Sequence, residues 1–252
     1  MSESHYLGDF TALLKNRFDQ KMYVDTRDQS VVPHLLCDGS WEYWITNVFC
    51  NFAKGAVVLD IGANAGWYSC MASLCGAKKV YAFEPNARLA NLLTRTSAVN
   101  GFNWVVWNTA LSDETRTGAL HFNWEMQGGA TLEESDTENK QSVACMRLDD
   151  IEVPAGFKDS DFLLKIDVEG HEPRVILGAQ KLIESKNCFL LVEHHSDPNG
   201  EHRNVEMWDF MKSAGYLVSH IPNGVSAPQQ IEYSAIPSVP ETDMLFFQRI
   251  AR

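Results

Sequence analysis

The segment 57–66, with the sequence VVLDIGANAG, constrains the fold more than any other part of the chain. Its first five residues predict a buried strand, and Gly62 and Gly66 predict a tight turn into a helix. A second apolar strand, 79–83, ends on Glu84. A glycine turn followed about twenty residues later by an acidic residue is typical of a βαβ unit that binds an adenosine-containing ligand.

Strand patterns and helical patterns alternate along most of the chain. This alternation, with strands that are apolar throughout, predicts an α/β fold with a mostly parallel sheet and helices on both faces. The last two strands have no helical pattern between them, which allows an antiparallel pair. The predicted strands are 56–61, 79–84, 104–108, 161–166, 189–192, 216–221 and 244–248, and the predicted helices are 66–74, 85–99, 173–184 and 203–214.

The length of 252 residues fits a single domain over 1–252. We expect 1–54 to form an N-terminal helical cap, with helices over 10–18 and 41–49. The core then spans 55–252.

A polar insertion interrupts the core at 112–142, and short strands are expected at 120–124 and 142–146. Within it, 127–131 (QGGAT) predicts either a mobile substrate loop or a hairpin turn, and the turn is favoured. A polar loop is predicted at 196–200.

Composition excludes several classes of protein. The net charge of −12 argues against nucleic acid as the main partner, because binding phosphates needs a basic surface. The six cysteines form no CxxC pair and no zinc-binding spacing, and we expect reduced core cysteines at Cys50, Cys70, Cys145 and Cys188. No signal peptide pattern and no membrane-spanning apolar run is evident, so a cytoplasmic location is expected.

The chemistry of the first turn separates two adenosine-containing ligands. A dinucleotide site needs glycine at the position of Asn64, whose side chain would crowd a pyrophosphate. S-adenosylmethionine (SAM) has no phosphate, and Asp60 and Glu84 are placed to bind its amino-acid half and its ribose hydroxyls. The predicted cofactor-binding residues are Asp60, Gly62, Ala63, Asn64, Trp67, Glu84, Pro85, Thr109, Ala110 and Asp167.

Two more apolar strands end in ionisable side chains. The strand at 161–166 leads into an acid-rich segment, and the strand at 189–192 leads into Glu193, His194 and His195. In open α/β sheets the carboxyl ends of the strands line the ligand crevice. The residues that this pattern predicts to take part in catalysis are Asp167, Glu193 and His194.

Two roles stay open for this group. Asp167, Glu193 and His194 are a candidate site for Mg²⁺ or Mn²⁺, which would acidify and orient a substrate hydroxyl. Alternatively, His194 or His195 is a general base that acts without metal. Because side chains alternate along a strand, only one of the two histidines is expected to be catalytic. Glu172 either joins the acidic group or begins a helix, where its charge favours the helix dipole.

Six segments resemble the FkbM-type SAM-dependent methyltransferases and occur in the order found in that family. The resemblance implies a Rossmann-like class I methyltransferase fold, with a seven-stranded sheet whose last strand is antiparallel. It also implies SAM contacts at Asp60, Gly62, Asn64 and Glu84. The segments are VVLDIGANAGWYS (57–69), VYAFEPN (80–86), NTALSD (108–113), RLDDI (147–151), LLKIDVEGHE (163–172) and LLVEHH (190–195). The catalytic neighbourhood that the resemblance implies consists of Asp167, Glu169, His171, Glu172 and Glu193.

The function that we expect is SAM-dependent O-methylation of a hydroxyl on a sugar, glycan or small metabolite. One alternative is an NAD(P)-binding oxidoreductase with an irregular fingerprint, and another is a non-catalytic SAM-binding module. The acid-rich strand ends argue against the second alternative, because a binding module has no evident need for them. Oligomeric state and the identity of the acceptor stay open.

Overall fold

Strand β4 (Val57–Ile61) lies inside a parallel part of the main sheet, and all five of its residues are buried. A computed structural model describes residues 3–137, 139–152, 157, 159–195, 205–239 and 242–249, with side chains left out of the description at 242–246 and 249. In this structure β5 (Lys79–Phe83) and β11 (Phe162–Ile166) flank β4 in parallel. These strands match the predicted apolar runs.

The main sheet has eight strands over the described residues, in the order β14-β13-β15-β12-β11-β4-β5-β6. The strands not yet given are β6 (Trp104–Trp107), β12 (Cys188–His194), β13 (Tyr216–Ile221), β14 (Gln229–Ile231) and β15 (Thr242–Arg249). Strand β15 is antiparallel to both β12 and β13. The expected number of seven strands is exceeded because β14 pairs with the outer edge of β13.

Helices cover both faces of this sheet, as the alternating pattern predicted. Val57, Leu59 and Ile61 of β4 point into a core formed with the helices that follow β11 and β12. Val58 points to the opposite face and packs with helices that precede and follow β4. The helices are α1 (Val32–Cys37), α2 (Tyr43–Ala53), α3 (Trp67–Leu74), α4 (Ala87–Asn100), α5 (Glu172–Leu177), α6 (Gln180–Ser185) and α7 (Val205–Ser213).

The helix predicted over 173–184 is two helices, α5 and α6, separated at Gly178. The Asp149 carboxylate accepts hydrogen bonds from the N–H groups of Lys181 (3.0 Å) and Leu182 (3.1 Å), in the first turn of α6. An acceptor at this place satisfies donors that a new helix leaves unpaired, and so stabilises the break. The residue that stabilises the break, Asp149, lies 32 residues before Lys181. The helical periodicity of 173–184 therefore gives no indication of it.

The helix predicted over 10–18 is wrong, because this segment belongs to a three-stranded antiparallel sheet. Its strands are β1 (Ser4–Gly8), β2 (Thr11–Lys15) and β3 (Lys21–Asp25). Within β2, Ala12 and Leu14 are buried while Leu13 and Lys15 are partly exposed, so the side chains alternate with the period of two of a strand. The second predicted helix, over 41–49, overlaps α2.

The insertion forms a four-stranded sheet in the order β7-β10-β8-β9. Its strands are β7 (Ala110–Leu111), β8 (Arg116–Asn123), β9 (Met126–Thr131) and β10 (Asn139–Met146). The favoured hairpin turn at 127–131 is wrong, since these residues form most of β9. The loop predicted at 196–200 lies outside the described residues.

The insertion sheet is anchored to the N-terminal segment through one buried carboxylate. Asp28 is 4% exposed and accepts hydrogen bonds from the N–H groups of Val31 and Val32 (2.9 Å each), at the start of α1. It also accepts from Gln127 N (3.2 Å), while Ser30 Oγ accepts from Gly128 N (3.3 Å). The beginning of β9 and the beginning of α1 are therefore hydrogen-bonded to the same carboxylate, that of Asp28.

Cys50 and Cys75 form a disulfide that joins the ends of α2 and α3, so the expectation of a reduced Cys50 is wrong. Cys70, Cys145 and Cys188 are buried and take part in no disulfide among the described residues, as expected. In the part of the chain that the structure describes, no helix combines the length and the apolar composition needed to cross a bilayer.

Gly178→Ala is expected to lower the free energy of unfolding by about 2–3 kcal/mol, because an added Cβ would force packed backbone apart. That Cβ would lie 1.9 Å from the carbonyl oxygen of Ser112. The control is Gly129→Ala, whose Cβ would lie 3.7 Å from its nearest neighbour. Urea unfolding of both variants measures the difference, and equal losses would contradict this account of the helix break.

Candidate functional site

The turn after β4 depends on two glycines with positive φ. Gly62 has φ +82°, and a Cβ there would lie 1.8 Å from the carbonyl oxygen of Asp167. Gly66 has φ +83°, and its Cβ would lie 2.5 Å from a methyl group of Leu93 on α4. The first glycine thus brings the end of β4 against the end of β11, and the second lets α4 pack closely on the start of α3.

Most of the N–H groups of this turn are already used within the protein. Gly62 N and Ala63 N both donate to Phe83 O (3.0 Å each), and Gly66 N donates to Ala63 O (2.7 Å). Asn64 N donates to Glu84 Oε2 (2.8 Å). A dinucleotide site would offer such groups to the pyrophosphate, so this turn suits a ligand without phosphate.

Glu84 is a buried carboxylate at the carboxyl end of β5. It is 4% exposed and accepts hydrogen bonds from Asn64 N and Asn86 N (2.8 Å each), one on each oxygen. Burial raises its pKa to about 7, although the two N–H donors lower it. Each carboxylate oxygen has a second lone pair, so Glu84 keeps acceptor capacity toward the cavity that it lines.

A cavity lies beside Glu84 and encloses about 530 Å³ when the open space at its mouth is included. Part of the lining consists of predicted cofactor-binding residues, and another part comes from the insertion sheet, where the sequence had allowed a substrate loop at 127–131. The predicted residues in the lining are Gly62, Asn64, Glu84, Pro85, Thr109, Ala110 and Asp167, and the insertion contributes Leu120, Gln127, Gly128, Ala130 and Leu132.

Asp60, Ala63 and Trp67 were also predicted to bind the cofactor, but they are not in this lining. Trp67 is instead buried in the core between α2 and α3, where its indole N–H donates to Thr46 Oγ1 (2.8 Å), so the structure does not place it at the cavity. Asp60 is buried within β4, and its carboxylate accepts a hydrogen bond from Ser69 Oγ (2.6 Å). Burial raises the pKa of Asp60 to about 6.

Lys165, within β11, is a fully buried cation that sequence reasoning missed. Its Nζ lies 2.7 Å from Asp167 Oδ2 and 4.8 Å from the centre of the Tyr68 ring. Lys165 is also the register partner of Asp60 on β4. Buried lysines are rare unless paired, so a lysine inside the apolar run LLKI was the available signal.

The ends of β11 and β12 bring Asp167, Glu169, Glu193 and His195 together. His195 Nε2 lies 3.1 Å from Glu193 Oε2 and 3.9 Å from Glu169 Oε2. The adjacent Glu193 carboxylate raises the pKa of His195 to about 9. Burial raises the pKa of Glu169 to about 7 and, with the charge of Asp167, raises that of Glu193. The Glu193–His195 pair therefore holds a proton at neutral pH.

His194, which was predicted to be catalytic and a metal ligand, is on the other side of β12. It is 6% exposed, and its ring centre lies 6.2 Å from that of Trp208 on α7. Only one of the two histidines reaches the acidic group, as alternation predicted, but it is His195. A shift in strand register between Glu193 and His194 accompanies this arrangement.

The predicted metal ligands do not form a set. Among the described residues, the donor atoms that converge belong to Glu169, Glu193 and His195, all within 4.8 Å of one another. Asp167 instead has the Lys165 ammonium as its cation. A divalent ion at Asp167 would be repelled by that fixed charge, so the donor arrangement fits a metal at Asp167 poorly.

His171 and Glu172 organise the loop between β11 and α5. His171 lines the cavity, and its ring nitrogens lie 3.0 Å from Ser112 Oγ and 2.8 Å from Glu133 Oε1. Glu172 is 3% exposed, and its Oε1 accepts hydrogen bonds from Val168 N (3.0 Å) and Gly170 N (3.2 Å). Glu172 therefore supports the acidic group rather than facing solvent.

Comparison with known proteins identifies the family of the chain. The family model described as methyltransferase FkbM domain matches residues 60–218, which is more than half of the chain, and the chain belongs to this family. A curated relative, the hexuronic acid methyltransferase AglP of Haloferax volcanii, is 29% identical over 141 residues, or 56% of each chain. The chain thus spans about half the length of the curated relative that it matches.

Solved structures also resemble the chain. The methyltransferase FkbM from Methylobacillus flagellatus KT has 15% identity and a TM-score of 0.49, covering 78% of this chain and 44% of its own. TYW2 of M. jannaschii, solved in complex with AdoMet, has 14% identity and a TM-score of 0.46, covering 98% of this chain and 90% of its own.

Asp60→Asn is expected to change how stability depends on pH. The folded-state pKa of Asp60 is raised from 3.8 to about 6, so the native state holds a proton that the unfolded chain has lost. This contribution favours folding below about pH 4 and disappears as the pH rises through 6, a change of about 3 kcal/mol. Urea unfolding at pH 4 and pH 7 should show a shallower fall for Asp60→Asn than for the wild type. Asp19→Asn, at an exposed position, is the control and should leave the fall unchanged.

Proposed function

We propose that this protein is a SAM-dependent O-methyltransferase whose acceptor is a hydroxyl of a sugar or glycan. The observation that carries the proposal is the cavity beside Glu84, in which a buried carboxylate faces a turn whose N–H groups are already occupied. Membership of the FkbM methyltransferase family supports methyl transfer. The relative named for hexuronic acid supports a sugar as acceptor.

The residues around the cavity fit SAM by their chemistry. Glu84 has lone pairs free for the ribose hydroxyls, and Pro85, Thr109 and Ala110 provide a surface for the base. The Asn64 side chain and the backbone of Gly62 would approach the amino-acid half. Asp60 would act through Ser69 and α3 rather than by direct contact.

SAM supplies, when bound, a methyl group on a positively charged sulfur. The protein has to position the acceptor hydroxyl and take up its proton. We assign this second role to His195 paired with Glu193, in place of the predicted His194. Lys165 keeps Asp167 ionised beside them, and Glu169 adds a third acidic side chain around His195.

A metal is not part of the proposal. The buried Lys165 ammonium, 2.7 Å from Asp167, already provides the positive charge that Mg²⁺ or Mn²⁺ was expected to provide. An NAD(P)-dependent oxidoreductase is disfavoured by the occupied N–H groups of the first turn. A non-catalytic SAM-binding module is disfavoured by the Glu193–His195 pair, which has no evident part in binding SAM.

Glu84→Ala is expected to weaken SAM binding by about 10- to 100-fold, because two hydrogen bonds to a charged acceptor are lost. Isothermal titration calorimetry with SAM measures this change, and titration with NAD⁺ should give no binding. The matched control is Glu114→Ala at an exposed position, which should bind like the wild type. Binding of NAD⁺ but not SAM would overturn the proposal.

Methyl transfer is expected to persist in EDTA and to rise with pH. Isotope-labelled SAM and a panel of glycosides and glycolipids, read by mass spectrometry, provide the assay. Because the Glu193–His195 pair must lose its proton before it can accept another, kcat/KM should increase from pH 7 to about pH 9.

His195→Gln should lower kcat by about 10²- to 10⁴-fold, whereas His34→Gln at an exposed position should not. Activity that disappears in EDTA and returns with Mg²⁺ would contradict the metal-free mechanism.

A further inference from the structure

Thr131, the last residue of β9, is hydrogen-bonded to the loop that carries the acidic group. Its Oγ1 donates to the carbonyl oxygen of Glu169 (2.8 Å) and accepts from Glu133 N (3.1 Å). The Glu133 carboxylate in turn contacts His171 Nδ1 at 2.8 Å. Two successive contacts therefore run from the insertion sheet to the segment between β11 and α5.

This segment has a conformation that needs support from outside. Glu169 has φ +54° and Gly170 has φ +94°, and positive φ costs energy at a residue with a side chain. Glu172 holds the loop from one side through Val168 N and Gly170 N. Thr131 holds it from the other, at the carbonyl of the strained residue itself. In this conformation Glu169 Oε2 lies 3.9 Å from His195 Nε2.

The strand that ends at Thr131 is also a wall of the cavity. Gln127, Gly128 and Ala130 of β9 line it together with Asn64 and Glu84. Thr131 follows directly after Ala130, so the position of this wall and the position of Glu169 are linked by adjacent residues. A molecule bound in the cavity would therefore contact the strand whose last residue, Thr131, is hydrogen-bonded to Glu169.

We propose that Thr131 is a positioning residue, which sets the backbone of Glu169 and thereby places its carboxylate beside His195, and that filling the cavity strengthens this contact. The assignment of the cavity to the cofactor rests on the proposed function. The link through Thr131 joins the cofactor side of the site to the acceptor side, with Glu133 as a second, weaker tether.

The test compares Thr131→Val, which keeps the shape but removes the hydroxyl, with Thr131→Ser, which keeps the hydroxyl. The Gly170 amide is observed by NMR, because its ¹⁵N shift responds to hydrogen bonding at the preceding carbonyl and its hydrogen exchange reports local opening. Both are measured with and without S-adenosylhomocysteine. Thr137→Val, on the same connection but bonded only at 3.5 Å to Asn139 O, is the control.

We expect the wild type, Thr131→Ser and Thr137→Val to have the same ¹⁵N shift at Gly170. In all three, binding of S-adenosylhomocysteine should slow the hydrogen exchange of this amide. In Thr131→Val the shift should move, exchange should be about 10-fold faster, and the ligand should no longer slow it, although its Kd by calorimetry stays within about threefold. With any acceptor that the wild type methylates, kcat should fall about 10-fold while the KM for SAM is unchanged.

Gly170 behaviour identical in Thr131→Val and Thr131→Ser would overturn the proposal. If Thr131→Val fails to fold, Glu133→Gln and Glu134→Gln replace it, since both positions are exposed and only Glu133 contacts His171. Glu133→Gln alone should then speed the exchange of Gly170, and an equal effect of both would count against the tether. Absence of S-adenosylhomocysteine binding to the wild type would instead refute the proposed function.

Discussion

The close approach of Gly62 to the carbonyl of Asp167 is the contact on which the rest of the site depends. A side chain at 62 would overlap that oxygen, so only glycine lets the turn after β4 meet the end of β11. This contact puts the cavity beside Glu84 and the acidic group beside Asp167 on one edge of the sheet. Without it, the two halves of the site would be separated by at least a side chain.

The charges at the carboxyl ends of these strands are balanced in part by a side chain buried within the sheet. Lys165 is buried between Asp60 and Asp167, and it offsets carboxylates that burial would otherwise neutralise. Glu193 and His195, farther from Lys165 along the edge, share a proton instead. The carboxyl ends of the strands therefore hold two kinds of group. Asp167 is kept ionised by Lys165, whereas the Glu193–His195 pair loses its proton only near pH 9.

Much of the fold could be predicted because it follows from local sequence. Strands β4, β5 and β11 are continuous apolar runs, and the glycine turn and Glu84 stand at the spacing of a βαβ unit. The misses arise where the deciding contact comes from a distant segment. Asp149 caps the start of α6 from more than 30 residues upstream, and strand pairing overrides a helical spacing at 10–18. The choice of His195 over His194 needed only the alternation of side chains along the strand, since Glu193 and His195 lie on the same side. Trp67 was misplaced because the sequence does not say which face of α3 meets the cap.

The shared anchor at Asp28 bears on how this fold can diversify. One carboxylate binds both the start of α1 and the start of β9, so the cavity wall and the N-terminal sheet do not form separable modules. Substitutions in the wall would select for matching changes near Asp28, and segments exchanged between relatives would work best when both are transplanted together. The N-terminal residues, which contain no motif of their own, thereby share in fixing the position of the cavity wall.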